Sequence, residues 1–182
     1  RLICTPGGKK GAIVALNKKT GDLIWTSAGF TDNAQYSSPI VFEHGGKRQY
    51  AQLFMKTLAG VDATNGKLLW QTSFPGRTAV IPTPIYADGK IYVTGGYGGG
   101  CKQIKRGKED PEVTYENKVM VNHHGGVILV DGHLYGHSDK RGWTCRNFET
   151  GEEVWKDDGV GKGAISYADG MFYCLGESSG TV

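Results

Sequence analysis

Short apolar runs broken by polar turns fill this chain from end to end. Ile13-Val14-Ala15-Leu16, Ile40-Val41-Phe42, Ile91-Tyr92-Val93 and Val127-Ile128-Leu129-Val130 are of strand length and rich in β-branched and aromatic residues. Many of the runs sit in pairs around a tight turn. SPIVFEHGGKRQYAQLF, TPIYADGKIYVTGG, GVILVDGHLYGHSD and AISYADGMFYCLGE each read as strand, turn, strand, with turn glycines Gly46, Gly89, Gly132 and Gly170. Asp-Gly between alternating apolar residues is a strong hairpin signal, because both central positions of the turn need positive φ.

A second phrase follows each hairpin. ALNKKTGDLIW, VDATNGKLLW and RNFETGEEVW pass through Gly21, Gly66 and Gly151 and end at Trp25, Trp70 and Trp155, with Tyr115 in the corresponding place of one repeat. The four aromatics stand 45, 45 and 40 residues apart. One period therefore holds four strands, A to D, with AB closed by Asp-Gly and CD by Thr-Gly or Asn-Gly. A period in the forties built from strands predicts an all-β chain, a β-propeller of four-stranded, WD-like blades. The ring on strand D fills the widening gap between blades and gives its N–H a backbone partner. The third repeat is the irregular one: its C strand, CKQIKR, is polar, and Tyr115 replaces tryptophan.

Counting strands along 1–182 predicts three complete blades flanked by two incomplete ones. Both ends contain a B strand, Leu2-Ile3-Cys4 and Phe172-Tyr173-Cys174. The expectation is a partial propeller, about half of a seven- or eight-bladed ring. Its remaining blades, or another protein chain, would be its first partner, since an open ring leaves unpaired edges.

Composition changes this picture little. The 21 basic and 18 acidic residues leave a net charge of +3, which does not call for nucleic acid as a partner. Lys102, Lys105, Arg106 and Lys108 form the longest basic cluster and read as a solvated strand and turn. No apolar run is long enough for a membrane-spanning helix. Cys4, Cys101, Cys145 and Cys174 lack zinc-type spacing and read as small apolar residues inside strands, so no metal site is assigned. The Gly95–Gly100 run lacks the helix and the Lys-Ser/Thr partner of a phosphate loop and reads as a bend at a strand end.

The phrases ending at Trp25, Trp70 and Trp155, each preceded by a hairpin such as TPIYADGKIYVTGG, resemble the repeats of PQQ-like propellers. That family includes quinoprotein alcohol dehydrogenases, barrel-assembly lipoproteins and proteins related to polyvinyl-alcohol dehydrogenases; GGYGGGC and the irregular third blade look most like the last group. The resemblance implies export, with a periplasmic or otherwise extracytoplasmic location. Quinoprotein dehydrogenases carry adjacent cysteines over the quinone, a Ca²⁺ site and an Asp base. No Cys-Cys pair occurs here.

Antiparallel order places AB and CD turns at one end of every blade, and BC loops and DA links at the other. Tyr36, Arg77, Tyr97, Cys101, His123, His124, His137 and Asp139 all fall in or beside BC and DA segments, which makes that face the candidate ligand site. No catalytic residue is assigned. The leading function is a binding or assembly scaffold acting through this face. The alternative is a quinoprotein-type alcohol dehydrogenase, with PQQ and Ca²⁺ as cofactors and its catalytic residues in further blades.

Overall fold

A computed structural model describes residues 1–107 and 110–182. The described residues form strands and no helix. In chain order, the first sheet holds β1 (Leu2–Cys4), β2 (Val14–Leu16) and β3 (Leu23–Thr26). The second holds β4 (Ile40–His44), β5 (Lys47–Leu53), β6 (Thr57–Asp62) and β7 (Leu68–Ser73). The third holds β8 (Ile85–Ala87), β9 (Lys90–Gly95), β10 (Gly100–Lys105) and β11 (Glu112–Asn117). The fourth holds β12 (Val127–Val130), β13 (His133–Ser138), β14 (Gly142–Asn147) and β15 (Glu153–Asp157), and the fifth β16 (Gly163–Ala168) and β17 (Met171–Gly176). Each sheet is an antiparallel meander, and together they make a partial β-propeller.

The Asp-Gly hairpins close as expected. Asp88, Asp131 and Asp169 have φ of 49°, 47° and 51°, and the glycine after each is near 75°. Asp tolerates this left-handed region better than most residues. The CD turns are three copies of one device. Asn17, Asp62 and Asn147 each accept from an N–H two residues on through the side chain, and from the turn glycine through the backbone carbonyl.

One shared feature was not visible in the pattern. In all four sheets that contain C and D strands, the register shifts at the same place, between Ala15/Leu16, Gly60/Val61, Gln103/Ile104 and Cys145/Arg146. The residue before each shift pairs with the strand-D aromatic. A β-bulge there adds twist beside the ring.

The rings reach across to the next sheet. Trp25 lies over Gly66, and its Nε1 donates to the Ala63 carbonyl at 3.3 Å. Tyr115 lies over Gly151, and its hydroxyl donates to the Phe148 carbonyl at 3.1 Å. Trp70 departs from the backbone-partner expectation: its Nε1 donates to the Gln49 side chain at 2.8 Å, and the Arg106 guanidinium stacks over its ring at 4.7 Å. Trp155 stays 47% exposed, because the two-stranded fifth sheet brings no CD turn over it.

The basic cluster in the third sheet is not a solvated face. Lys102 is only 3% exposed and Arg106 8%. Lys102 Nζ donates to the Ser73 carbonyl at 2.6 Å and pairs with Glu116 at 2.8 Å. Burial is tolerated because each cation has a specific partner and a long apolar stem to pack. Lys105 is exposed, and Lys108 lies outside the described residues. Cys101 and Cys145 are buried, Cys4 and Cys174 half-buried, and all four are free thiols.

Candidate functional site

The BC loops and DA links of the third, fourth and fifth sheets meet at one end of the fold. Their backbones are stitched together: Asp139 N donates to Val121 O at 2.9 Å, and Ile165 N to Gly125 O at 3.1 Å. Thr94 Oγ1 bridges the Gly100 and Met120 carbonyls. Glycine is required where these segments touch, since a Cβ on Gly96 would stand 2.9 Å from His123 Cα. The result is a rigid seat for side chains from three successive sheets.

Five of the eight candidate residues gather there. His123 Nε2 is 2.9 Å from the Tyr97 hydroxyl, and the two rings meet edge to face at 4.6 Å. His123 Nδ1 is 2.7 Å from Lys162 Nζ, which also lies 3.4 Å from Asp139. His124 stacks on His123 at 4.7 Å and faces Glu177 at 3.0 Å. His137 packs edge-on against Trp143 at 5.5 Å. Burial, followed by Lys162 and His124, lowers the His123 pKa below its ordinary value of 6.5. Burial also lowers that of His137, against the opposing pull of Asp139. Both imidazoles are therefore held towards the neutral form.

The other three candidates lie elsewhere. Tyr36 is 74% exposed and fixed by its backbone N–H to Val80 O. Arg77 is exposed in the link after β7. Cys101 is the second residue of β10 and turns inward, 1% exposed, between the third and fourth sheets. There it donates to Asn117 Oδ1 at 3.1 Å and accepts from Arg146.

Beside the histidines a cleft of about 700 Å³ opens between the third and fourth sheets. Tyr97, Lys118, Asp139, Lys140, Arg141 and Lys156 line it. Arg141 is tied to Glu153 at 2.8 Å and Asp139 to Lys162, whereas Lys118, Lys140 and Lys156 pair with no carboxylate among the described residues. The chain's small net charge concealed this concentration of cations. The loop sorting that selected His123 also contains Lys118, Lys140, Arg141, Lys156 and Lys162. The signal for them is the lysine and arginine content of those segments.

Among the described residues, no three His, Cys, Asp or Glu side chains are grouped to hold a metal ion. Both His123 nitrogens are already engaged, one by an ammonium. With Cys101 buried in a sheet interface as well, these residues do not fit a PQQ–calcium centre, and no step is derived through one.

Residues 1–157 match the protein family described as outer membrane protein assembly factor BamB. The chain is 33% identical over 88 residues to a polyvinylalcohol dehydrogenase from Pseudomonas sp., a match covering 46% of this chain and 14% of the enzyme. It is 37% identical over 90 residues to a polyvinylalcohol dehydrogenase from Sphingopyxis sp. (strain 113P3), with the same coverage of 46% and 14%. Among solved structures, BamB from Moraxella catarrhalis superposes with a TM-score of 0.60 at 14% identity, over 80% of this chain and 45% of that one. The matched stretch is thus a small part of either enzyme and under half of the solved BamB chain.

Proposed function

The chain belongs to the PQQ-like propeller family of the assembly factor BamB, and from that premise we propose that it is a non-catalytic, exported scaffold. It binds or assembles with protein partners through the face made by its BC loops and DA links. The observation that supports this is the contrast between the two ends of the sheets. One end is made of short hairpin turns, with clefts of about 470 and 540 Å³ beside the turns of the second sheet. The other carries a cleft of about 700 Å³ with three lysines that pair with no carboxylate among the described residues and an exposed tyrosine on a braced backbone. The family description, an assembly factor of the outer membrane, fits the same reading and its extracytoplasmic location.

The test is site-specific photocrosslinking in cells. A photoreactive residue at Lys140 or Lys156 gives discrete protein adducts, while one at Asp88 or Asp131 on the turn face does not. Adducts spread equally over both faces would refute the proposal.

A second reading is favoured by the names of two relatives, both polyvinylalcohol dehydrogenases. It makes the chain part of a quinoprotein-type oxidoreductase whose cofactor-binding and catalytic residues lie beyond those described. The absorption spectrum of the full chain with PQQ and Ca²⁺ separates the two. A bound quinone band that responds to alcohol would replace the scaffold reading.

A further inference from the structure

The hydrogen-bond chain beside the cleft fixes where its protons sit. An ammonium group has only donors, so Lys162 Nζ, 2.7 Å from His123 Nδ1, must donate to that nitrogen. The imidazole proton then resides on Nε2, which points at the Tyr97 hydroxyl 2.9 Å away and donates to it. Tyr97 Oη is thereby used as an acceptor, and its own O–H is left to be donated outward. Asp139, 3.4 Å from Lys162, anchors the other end of the chain. Four residues from loops of three successive sheets thus set the direction of one hydroxyl.

That hydroxyl belongs to a residue lining the cleft. Tyr97 has φ of +54°, a left-handed conformation that is uncommon for a bulky side chain, and the residue is 44% exposed. Its partners at the cleft are Lys118, Lys140 and Lys156, ammonium groups with no carboxylate of their own among the described residues. The one guanidinium, Arg141, is already held by Glu153. An oriented O–H and several separate point charges suit a ligand with several spaced carboxylates. They suit less well a single phosphate, which is best gripped by a free guanidinium fork.

We propose that this cleft binds clustered carboxylates, as presented by an acidic segment of a partner protein, with Tyr97 Oη as hydrogen-bond donor and Lys118, Lys140 and Lys156 as counter-charges. The proposal rests on the loop face being the binding face and names the chemistry that face would recognise. His123 and Lys162 are positioning residues that act through Tyr97.

The experiment titrates the full chain with a fluorescent oligoglutamate peptide at low ionic strength. Oligoglutamate should bind, and its affinity should fall as salt is raised. Tyr97→Phe should weaken binding about tenfold, the worth of a hydrogen bond to a charged group. Lys140→Glu with Lys156→Glu should weaken it by tenfold or more. All three side chains are exposed, so these variants keep the fold, which circular dichroism verifies. Nitrogen-15 shifts of His123 should report a proton on Nε2 in the wild type and a mixture of tautomers in Lys162→Met.

Citrate as competitor distinguishes the source. If it displaces the peptide at equal carboxylate concentration, the ligand is a free polycarboxylate; if it does not, the ligand is a protein segment. The second outcome is the expected one; the first overturns the assignment to a protein segment. Absence of oligoglutamate binding, unchanged affinity in Tyr97→Phe, or tighter binding of an oligothymidylate of matched length overturns the proposal. Loop-face photocrosslinks without oligoglutamate binding would remove this inference and leave the scaffold reading. Oligoglutamate binding together with a quinone band would do the reverse.

Discussion

The seam between the first and second sheets and the seam between the third and fourth solve one problem with different side chains. At the first seam the Trp25 indole alone fills the space over Gly66; a Cβ there would stand 2.4 Å from its ring. Ile13, Trp25 and Val61 belong to one apolar cluster, with Ile3 packed against it. At the later seam the register puts Tyr92, Cys101 and Tyr115 where Ile3, Ile13 and Trp25 stand, and Arg146 where Val61 stands. Over Gly151 lie both the Tyr115 ring and the Arg146 guanidinium, each within 3 Å of where a Cβ would be. A smaller ring on one sheet is matched by a longer side chain on the next. Arg146 is fully buried without a carboxylate partner among the described residues. It donates to Gly151 O at 2.6 Å and to Cys101, and it lies 5.5 and 5.0 Å from the Tyr92 and Tyr115 ring centroids. Aromatic faces and neutral acceptors solvate the charge in place of an anion. Shape at a seam can therefore be preserved while its chemistry changes from apolar to cationic.

The largest expected effect tests the apolar seam. Trp25→Ala should cost about 3–5 kcal/mol in urea unfolding, through lost burial and the cavity left behind. Trp155→Ala, at a ring 47% exposed, should cost far less. Equal losses would mean that the rings do not act as seam fillers. Gly66→Ala comes next. Gly66 and Gly21 both have positive φ, 75° and 81°, but a Cβ at Gly21 meets nothing within 4 Å. Backbone strain alone, about 1–2 kcal/mol, is expected for Gly21→Ala, and overpacking against Trp25 adds about 1–3 kcal/mol at Gly66.

How far these seams were legible follows from the same contrast. The Trp25, Trp70 and Trp155 beat and the turns at Gly21, Gly66 and Gly151 disclosed the strands and the packing role of the rings, because both are local in sequence. Tyr115 could be marked as irregular, but its compensation could not be read. Arg146 lies far along the chain, and only the sheet-to-sheet register brings the two together. Burial of Lys102 and Arg106 was hidden for a similar reason: a polar strand looks solvated until Ser73, Glu116 and Trp70 are seen to receive it. At the loop end, strand order placed Tyr97, His123 and Asp139 on one face, as loop sorting can. Lys162 and Glu177 complete their contacts, but nothing local in sequence sets these two charges apart from other surface charges.

A double-mutant cycle sharpens the comparison directly. Tyr115→Trp alone should overpack the later seam, and Arg146→Val alone should leave a void, each costing about 1–3 kcal/mol. Made together they rebuild the apolar pair of the first seam. The double variant should then be more stable than the sum of the singles predicts, by about 1–3 kcal/mol of coupling. Strict additivity in guanidinium unfolding would show that the two side chains do not share one space.

The smallest expected effect separates the seams by pH. The loop end of the later seam carries His123, faced by Lys162, His124, Asp139 and Glu177, and His137, faced by Asp139, Lys162, Glu177 and His124. The pKa of each is lowered on folding, chiefly by burial, so between the folded value and the ordinary 6.5 the unfolded chain binds more protons. Their contribution to stability is thus present above 6.5 and is lost as pH falls below it. Protonated His123 can no longer accept from Lys162, and the link to Tyr97 loses its anchor. The first seam has no histidine: its loop end is closed by Ser27 N to Ile13 O at 2.8 Å and by Ala12 N to Phe30 O. Hydrogen exchange, corrected for the intrinsic pH dependence, should therefore show falling protection at the Asp139 and Ile165 amides below pH 6.5. Protection at Ser27 and Ala12 should not move. His123→Gln should flatten part of the response, leaving the share that His137 carries. A parallel loss at both seams would place the titration elsewhere and detach the histidines from the stability of this face.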